Sequence, residues 1–215
     1  MTLKGAPRKQ VSRIGRPSRD EIRERKKNVL EITKAIFIED GYENLTIEAV
    51  SERSGISKKS VYSWFTNKSS LMKEVITDIA DRTRDIMLKG AAAESRNIDD
   101  DLYNIAISIL DAFCSKESIS LSRFLIRESY KYPEFRQYIM SYALRDLEGI
   151  LVDIFEKYQG SVTNIDSKAL AHRFLNIVTG NLSIIIIHDL DIPNAAERKR
   201  QAKEASRIFI HGILK

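Results

Sequence analysis

Residues Thr46 to Leu71 constrain this chain more than any other stretch, because they describe two short helices joined by a tight turn. Thr46 offers a hydroxyl to cap the first helix, and Ile47 and Val50, three apart, give that helix one apolar side. Ser51 supplies a small side chain where two helices must approach. Gly55 falls at the turn, where a residue without Cβ takes positive φ at no cost. Ser57 caps the second helix, whose Val61 and Phe65 lie four apart on a buried side. Lys58, Lys59, Ser60, Tyr62 and Ser63 are left mainly for its other faces. A packed pair of this kind with outward cations is a device for reading DNA.

The residues Thr46, Val50, Gly55, Ile56, Ser57, Val61, Tyr62, Phe65, Asn67, Lys68 and Leu71 resemble the helix-turn-helix of the TetR family, the tetracycline-repressor-like regulators. The run Ser-x-x-x-Val-Tyr-x-x-Phe-x-Asn-Lys-x-x-Leu carries most of the likeness, since unrelated helix-turn-helix proteins do not share Tyr, Phe and Lys at these offsets. The motif covers roughly residues 20 to 75, and the remainder is similar in length and helical layout. Three positions depart from the family pattern. Ser51 stands where Ala is usual, Lys59 where a small residue is frequent, and Ser69 where an acid is common. Lys59 alters what the groove-facing surface offers, so an operator sequence does not transfer from relatives. The resemblance implies an all-α protein of about nine helices, in which a three-helix DNA-binding domain precedes a helical ligand-binding and dimerisation domain.

Charge is distributed as that division expects. Residues 1–68 hold fifteen Lys and Arg against nine Asp and Glu, and the rest holds twenty against twenty-one, within a formal net charge of +5. A cationic end on a nearly neutral body favours a polyanion bound at one end over a general membrane-surface role. The single Cys114 excludes an internal disulfide and a multi-cysteine zinc site. The first 27 residues hold ten Lys and Arg but no apolar stretch of the signal-peptide kind. Ile184 to Ile187 falls far short of the ~20 apolar residues that span a bilayer. A soluble, cytoplasmic protein with no membrane partner is expected.

Organisation along the chain follows from periodicity and caps. Residues 1–17 read as a basic arm, 18–68 as the DNA-binding domain and 69–215 as the regulatory and dimerisation domain. Ser18 with Glu21 forms a capping box for a first helix that carries Val29, Ile32, Ile36 and Phe37 and stops near Gly41. Asn67 caps a fourth helix running through Leu71, Val75 and Ile79 toward Leu88, the physical link between the two domains. Beyond it, helical spacing predicts 99–114, 119–130 and 134–158, the last with Pro133 in its first turn. A further helix runs from Asp166 through Ile187, apolar on nearly all sides toward its end. The last is capped by Asn194 with Glu197.

Recognition helices point their N-terminal residues at base edges, which makes Lys58, Lys59, Ser60 and Ser63 the candidates for reading and Lys59 the principal one. Resemblance assigns Thr46, Tyr62 and Lys68 to phosphates on either side of the groove. Trp64 has two readings, a core residue or an indole N–H donor to phosphate. Arg16, within Gly15-Arg16-Pro17, either follows a narrow minor groove or belongs to a solvated tail.

For the rest of the chain, the resemblance implies a homodimer on inverted-repeat DNA and a small-molecule effector. The dimer seam is expected at Phe174, Ile177, Val178, Ala202, Ala205 and Phe209, where two copies would cover apolar helices. The alternative is coverage by the same chain. Phe113, Phe124, Arg127, Tyr138 and Tyr142 are the pocket candidates, for a mostly apolar ligand with a polar or anionic feature, although aromatics at helical spacing more often pack as core. His172, His188 and His211 stand too far apart to form a metal motif, and no nucleophile motif or phosphate loop is present, so neither metal, cofactor nor catalysis is expected. A repressor is the expected role. A DNA-organising or division-linked protein on the same scaffold, controlled by a protein partner, is the alternative.

Overall fold

The computed structural model describes residues 18–93, 95, 97–128, 130–162 and 165–213, and of 140–146 the backbone alone. The expected basic arm, with Arg16, lies outside the described residues. Among the described residues the regular elements are ten α-helices. They are α1 (Arg19–Asn44), α2 (Ile47–Ser54), α3 (Lys58–Trp64), α4 (Lys68–Ala91), α5 (Ile98–Phe113), α6 (Lys116–Glu128), α7 (Pro133–Lys157), α8 (Ser167–Thr179), α9 (Leu182–Ile187) and α10 (Ala195–Ile213). The extra helix arises because the segment expected to run unbroken from 166 to 187 stops at Gly180, where φ is 50° and ψ −119°. Apolar spacing continues on both sides of that glycine, which is why periodicity reads through it. α6 starts before the expected Ile119, since Ser115 Oγ accepts the Ser118 N–H at 3.2 Å and caps the helix earlier.

Local signals set the other helix ends. Ser18 Oγ accepts from Glu21 N–H at 3.2 Å while the Glu21 carboxylate accepts from Ser18 N–H at 2.7 Å, the capping box that opens α1. Asn194 and Glu197 make the equivalent pair ahead of α10. Near the end of α1, Gly41 adopts φ 79°, open to glycine and strained for other residues, and the helical path breaks there. The break turns Tyr42 inward, with its ring centroid 5.2 Å from Phe124, 4.9 Å from Tyr132 and 5.3 Å from Phe135.

Buried side chains form two clusters, with α4 running through both. One gathers Val29, Ile36 and Phe37 of α1, Val50 of α2, Val61 of α3 and Leu71 to Ile79 of α4, together with Phe124 of α6 and Phe135 of α7. The other gathers Met87 at the far end of α4 with residues of α5, α7, α8 and α10, centred on Phe155, Phe174 and Phe209. Packing therefore does not stop at residue 68. The three helices α1 to α3 have too little interior to bury their own apolar faces, so the reading head completes its core with α4, α6 and α7. Each fully buried Phe or Leu contributes roughly 1.5–3 kcal/mol. A charge network adds a second tie between α1 and α4. Buried Lys34 reaches Glu31 and Asp78, both at 2.9 Å, and Arg82 reaches the same two carboxylates at 2.6 and 3.1 Å.

Candidate nucleic-acid interface

The turn between α2 and α3 is built from side-chain hydrogen bonds over a few residues. Thr46 Oγ1 accepts from Ala49 N–H at 3.1 Å and Ser57 Oγ from Ser60 N–H at 3.2 Å, so each helix starts on its own cap. Gly55 sits between them at φ 67°. Ser51, one of the departures from the family pattern, donates its hydroxyl to the Ile56 carbonyl at 2.7 Å. That bond satisfies a carbonyl in the turn that an alanine would leave to solvent.

On α3, Val61 and Phe65 point inward and are buried. Lys58, Lys59, Tyr62 and Ser63 are exposed, and their i, i+1, i+4, i+5 spacing puts them on one continuous face. Lys58 pairs with Glu48 of α2 at 3.1 Å, whereas Lys59 has no ion pair among the described residues. The Glu48 carboxyl is held below its ordinary value by its own backbone N–H first and by Lys58 second. Ser60 is half-buried, its hydroxyl 3.0 Å from that of Ser57, and Ser63 Oγ donates to the Ser60 carbonyl at 2.6 Å. Their oxygens keep lone pairs for base or phosphate donors. Lysines near the start of α3, followed by a half-exposed tyrosine one turn on, suit a major groove lined by phosphates.

The flanks differ from the sequence reading in detail. Trp64 is half-buried, with its ring packed against the head cluster. Lys68, assigned to phosphate, donates to the Glu43 carbonyl at 3.1 Å and lies 4.2 Å from the Tyr42 ring centroid. Burial pushes its ammonium below the ordinary lysine value. A phosphate contact would draw on its remaining donors. Two residues of α1 escaped the sequence reading. Lys26 Nζ sits 5.1 Å from the Phe65 ring centroid, and Asn28 donates to the Ser54 carbonyl at 3.4 Å, so α1 braces both helices of the pair. No local pattern announces contacts across such separations.

The regulatory candidates fall in different surroundings. Of the six seam candidates, Phe174, Val178, Ala202, Ala205 and Phe209 are buried inside their own chain against α5 and α7, and only Ile177 is exposed. Those five are covered by the same chain. Of the pocket candidates whose side chains are described, Phe113 and Phe124 belong to different clusters. Phe113 packs against the body cluster, Phe124 lies in the head cluster, and Tyr138 places its hydroxyl 2.6 Å from that of Thr77. The side chain of Tyr142 lies outside the described residues. Phe124 and exposed Arg127 do line one cleft, of about 480 Å³, between α1 and α6. Among the described residues no cluster of three or more His, Cys, Asp or Glu could hold a metal ion. Cys114 is half-buried, with its thiol pushed up by burial. No helix of the described residues is long and apolar enough to cross a membrane.

Comparison with known proteins adds to this geometry. Residues 29–75 match the model for bacterial regulatory proteins of the tetR family, and residues 100–212 match that for the C-terminal domain of AefR-like transcriptional repressors. The chain is 18% identical over 195 residues to an uncharacterized HTH-type transcriptional regulator, YvkB, of Bacillus subtilis (strain 168), spanning 87% of this chain and 96% of that one. A putative TetR-family regulator from Mesorhizobium loti MAFF303099 superposes with a TM-score of 0.82 at 19% identity, over 93% of this chain and all of that one. A TetR regulator from Agrobacterium tumefaciens does so at 0.71 and 18%, over 89% and 95%.

Proposed function

This chain belongs to the TetR family of bacterial regulatory proteins and is a DNA-binding transcriptional regulator, and from that premise we propose a homodimeric repressor of inverted-repeat operators, released by a small molecule. The family is one of regulators and not of enzymes. The observation that carries the dimer is apolar surface in the wrong place for a lone chain. Ile177, Ile184, Ile187 and Ile208 are exposed by 39%, 54%, 54% and 64% on α8, α9 and α10. A two-fold axis beside α8 and α10 lets a second copy cover them, and Gly212, with open space around it on the same face of α10, admits a partner backbone closely.

Two copies joined there present two α3 helices for successive major grooves, about 34–36 Å apart or a multiple of it. Lys59 reads a base edge, with Lys58, Ser60 and Ser63 beside it. Thr46, Tyr62, Trp64 and Lys68 serve the backbone, and Arg16 of the arm follows the adjacent minor groove. The match of the C-terminal half to a repressor domain supports the sign of regulation. Release requires an effector that prefers the separation of heads at which the operator no longer fits, because equal affinity for both states shifts nothing. The protein acts in the cytoplasm. A genome-wide occupancy map tests the reading: one or a few promoters carrying an inverted repeat support it, and sites scattered over the chromosome would replace it with a DNA-organising role.

A further inference from the structure

The cleft between α1 and α6 ends on Asp189, just beyond α9, so it touches the reading head, the body and the corner ahead of α10 together. Arg123 and Arg127, one turn apart on α6, both line it. Arg123 sends Nη2 to the Asp189 carboxylate, yet its Nε is shielded from solvent with no hydrogen-bond partner among the described residues. A guanidinium offers two parallel donors on its Nε side, and this pairing leaves one of them empty. Asp189 makes the contact from φ 54°, a conformation that non-glycine residues seldom adopt. Arg127 is exposed and has no ion pair among the described residues.

We propose that this cleft is a binding site for a monocarboxylate with an apolar remainder. The ligand carboxylate displaces Asp189, accepts from Nε and Nη2 of Arg123 side-on, and is closed over by Arg127. The remainder lies along Phe37, Ile38 and Phe124. Exchange of a one-point for a two-point contact satisfies the dry Nε. The other walls set the charge of the ligand. Glu39 and Asp40 are held by Arg53 at 2.8 and 3.5 Å, and Glu43 by Lys131, but with Glu128 they still repel a second negative charge. A second negative charge on the ligand is thereby disfavoured. Because the cleft is walled by α1 on one side and α6 on the other, occupancy changes how the head sits on the body. That consequence rests on the effector-controlled reading above, whereas the site itself does not.

Amide chemical shifts of the full chain titrated with sodium benzoate and sodium hexanoate provide the test, with benzamide and benzylamine as neutral and cationic counterparts. Both carboxylates should move resonances of residues 37–43 and 120–128, and the two counterparts should not. Arg127→Gln, an exposed change that spares the fold, should weaken binding roughly tenfold. Asp189→Asn, which removes the internal competitor, should tighten it. Equal binding of benzamide, binding of benzylamine instead, or no response in wild type would overturn the proposal, as would a tightening absent from Asp189→Asn. Binding as described with operator affinity unchanged at saturation leaves the site standing and defeats the effector reading.

Discussion

The two ends of the molecule expose opposite things. At the helix-turn-helix end α3 buries Val61 and Phe65 and leaves Lys58 and Lys59 in solvent, while at the far end α8, α9 and α10 bury an apolar core and still leave four isoleucines outside. A cation in water costs nothing, so the head is stable without its partner and waits for a polyanion. Exposed isoleucine is unfavourable, so the α8–α10 end is where the proposed second copy would gain apolar burial. On the proposed reading, one end meets phosphate reversibly and the other is covered by a second copy.

The strongest way to break that contrast is to attack what joins the ends. Phe135, wholly buried in α7, packs on Tyr42 at 5.3 Å and Phe124 at 5.6 Å. Phe135→Ala should cost about 3–5 kcal/mol in urea unfolding. It should lower head and body together, since this core is shared. A head that melts alone would show that the two ends are separate after all.

A smaller effect is expected at the exposed isoleucines. Ile208→Glu should raise the dimer dissociation constant by roughly a hundredfold, read by sedimentation, with monomer stability unchanged because the side chain is already in solvent. Phe209→Glu, one residue on, should instead unfold the chain, as Phe209 is core. At the other end, Lys59→Ala should cost about 1–3 kcal/mol of discrimination between operator and mismatched duplex, with folding unaffected. Lys58→Ala should show less sequence dependence, because that ammonium is shared with Glu48.

The smallest effect concerns pH and belongs to the body. Asp101 is buried at the start of α5, where desolvation raises its carboxyl. Hydrogen bonds from Lys157, Ser95 and Tyr158 together with the Lys157 charge outweigh this and hold it below its ordinary value. A depressed carboxyl stabilises the fold at pH above the unfolded value, and that contribution is lost as pH falls through the folded one. Asp101→Asn should flatten the acid limb of the stability profile, measured by thermal melts.

How far the sequence could be read also separates the two ends. Thr46, Gly55, Ser57 and the Ser18–Glu21 pair act on residues within a few positions, so caps, turn and all three helices of the head were legible, as were most helices of the body. What covers a helix was not. Phe174 and Phe209 carry apolar spacing equally suited to a partner's surface or to Phe155 of the same chain, whose rings lie at 6.1 and 5.6 Å. That choice is made by packing between helices distant in sequence, which leaves no periodic trace. Arg123 was missed although Arg127, one turn later on the same face, was named. Helical spacing alone could have found it.

The central claim is that paired copies insert a lysine-bearing α3 into neighbouring major grooves of one duplex. Selection of binding sites from a random duplex pool, with the stoichiometry of the recovered complex measured by light scattering, tests it most directly. Enrichment of a single inverted repeat, with half-sites one helical turn or a multiple apart and two chains bound per site or a multiple of two, is the predicted result. An undivided motif bound by one chain, or no enrichment over the starting pool, would contradict it.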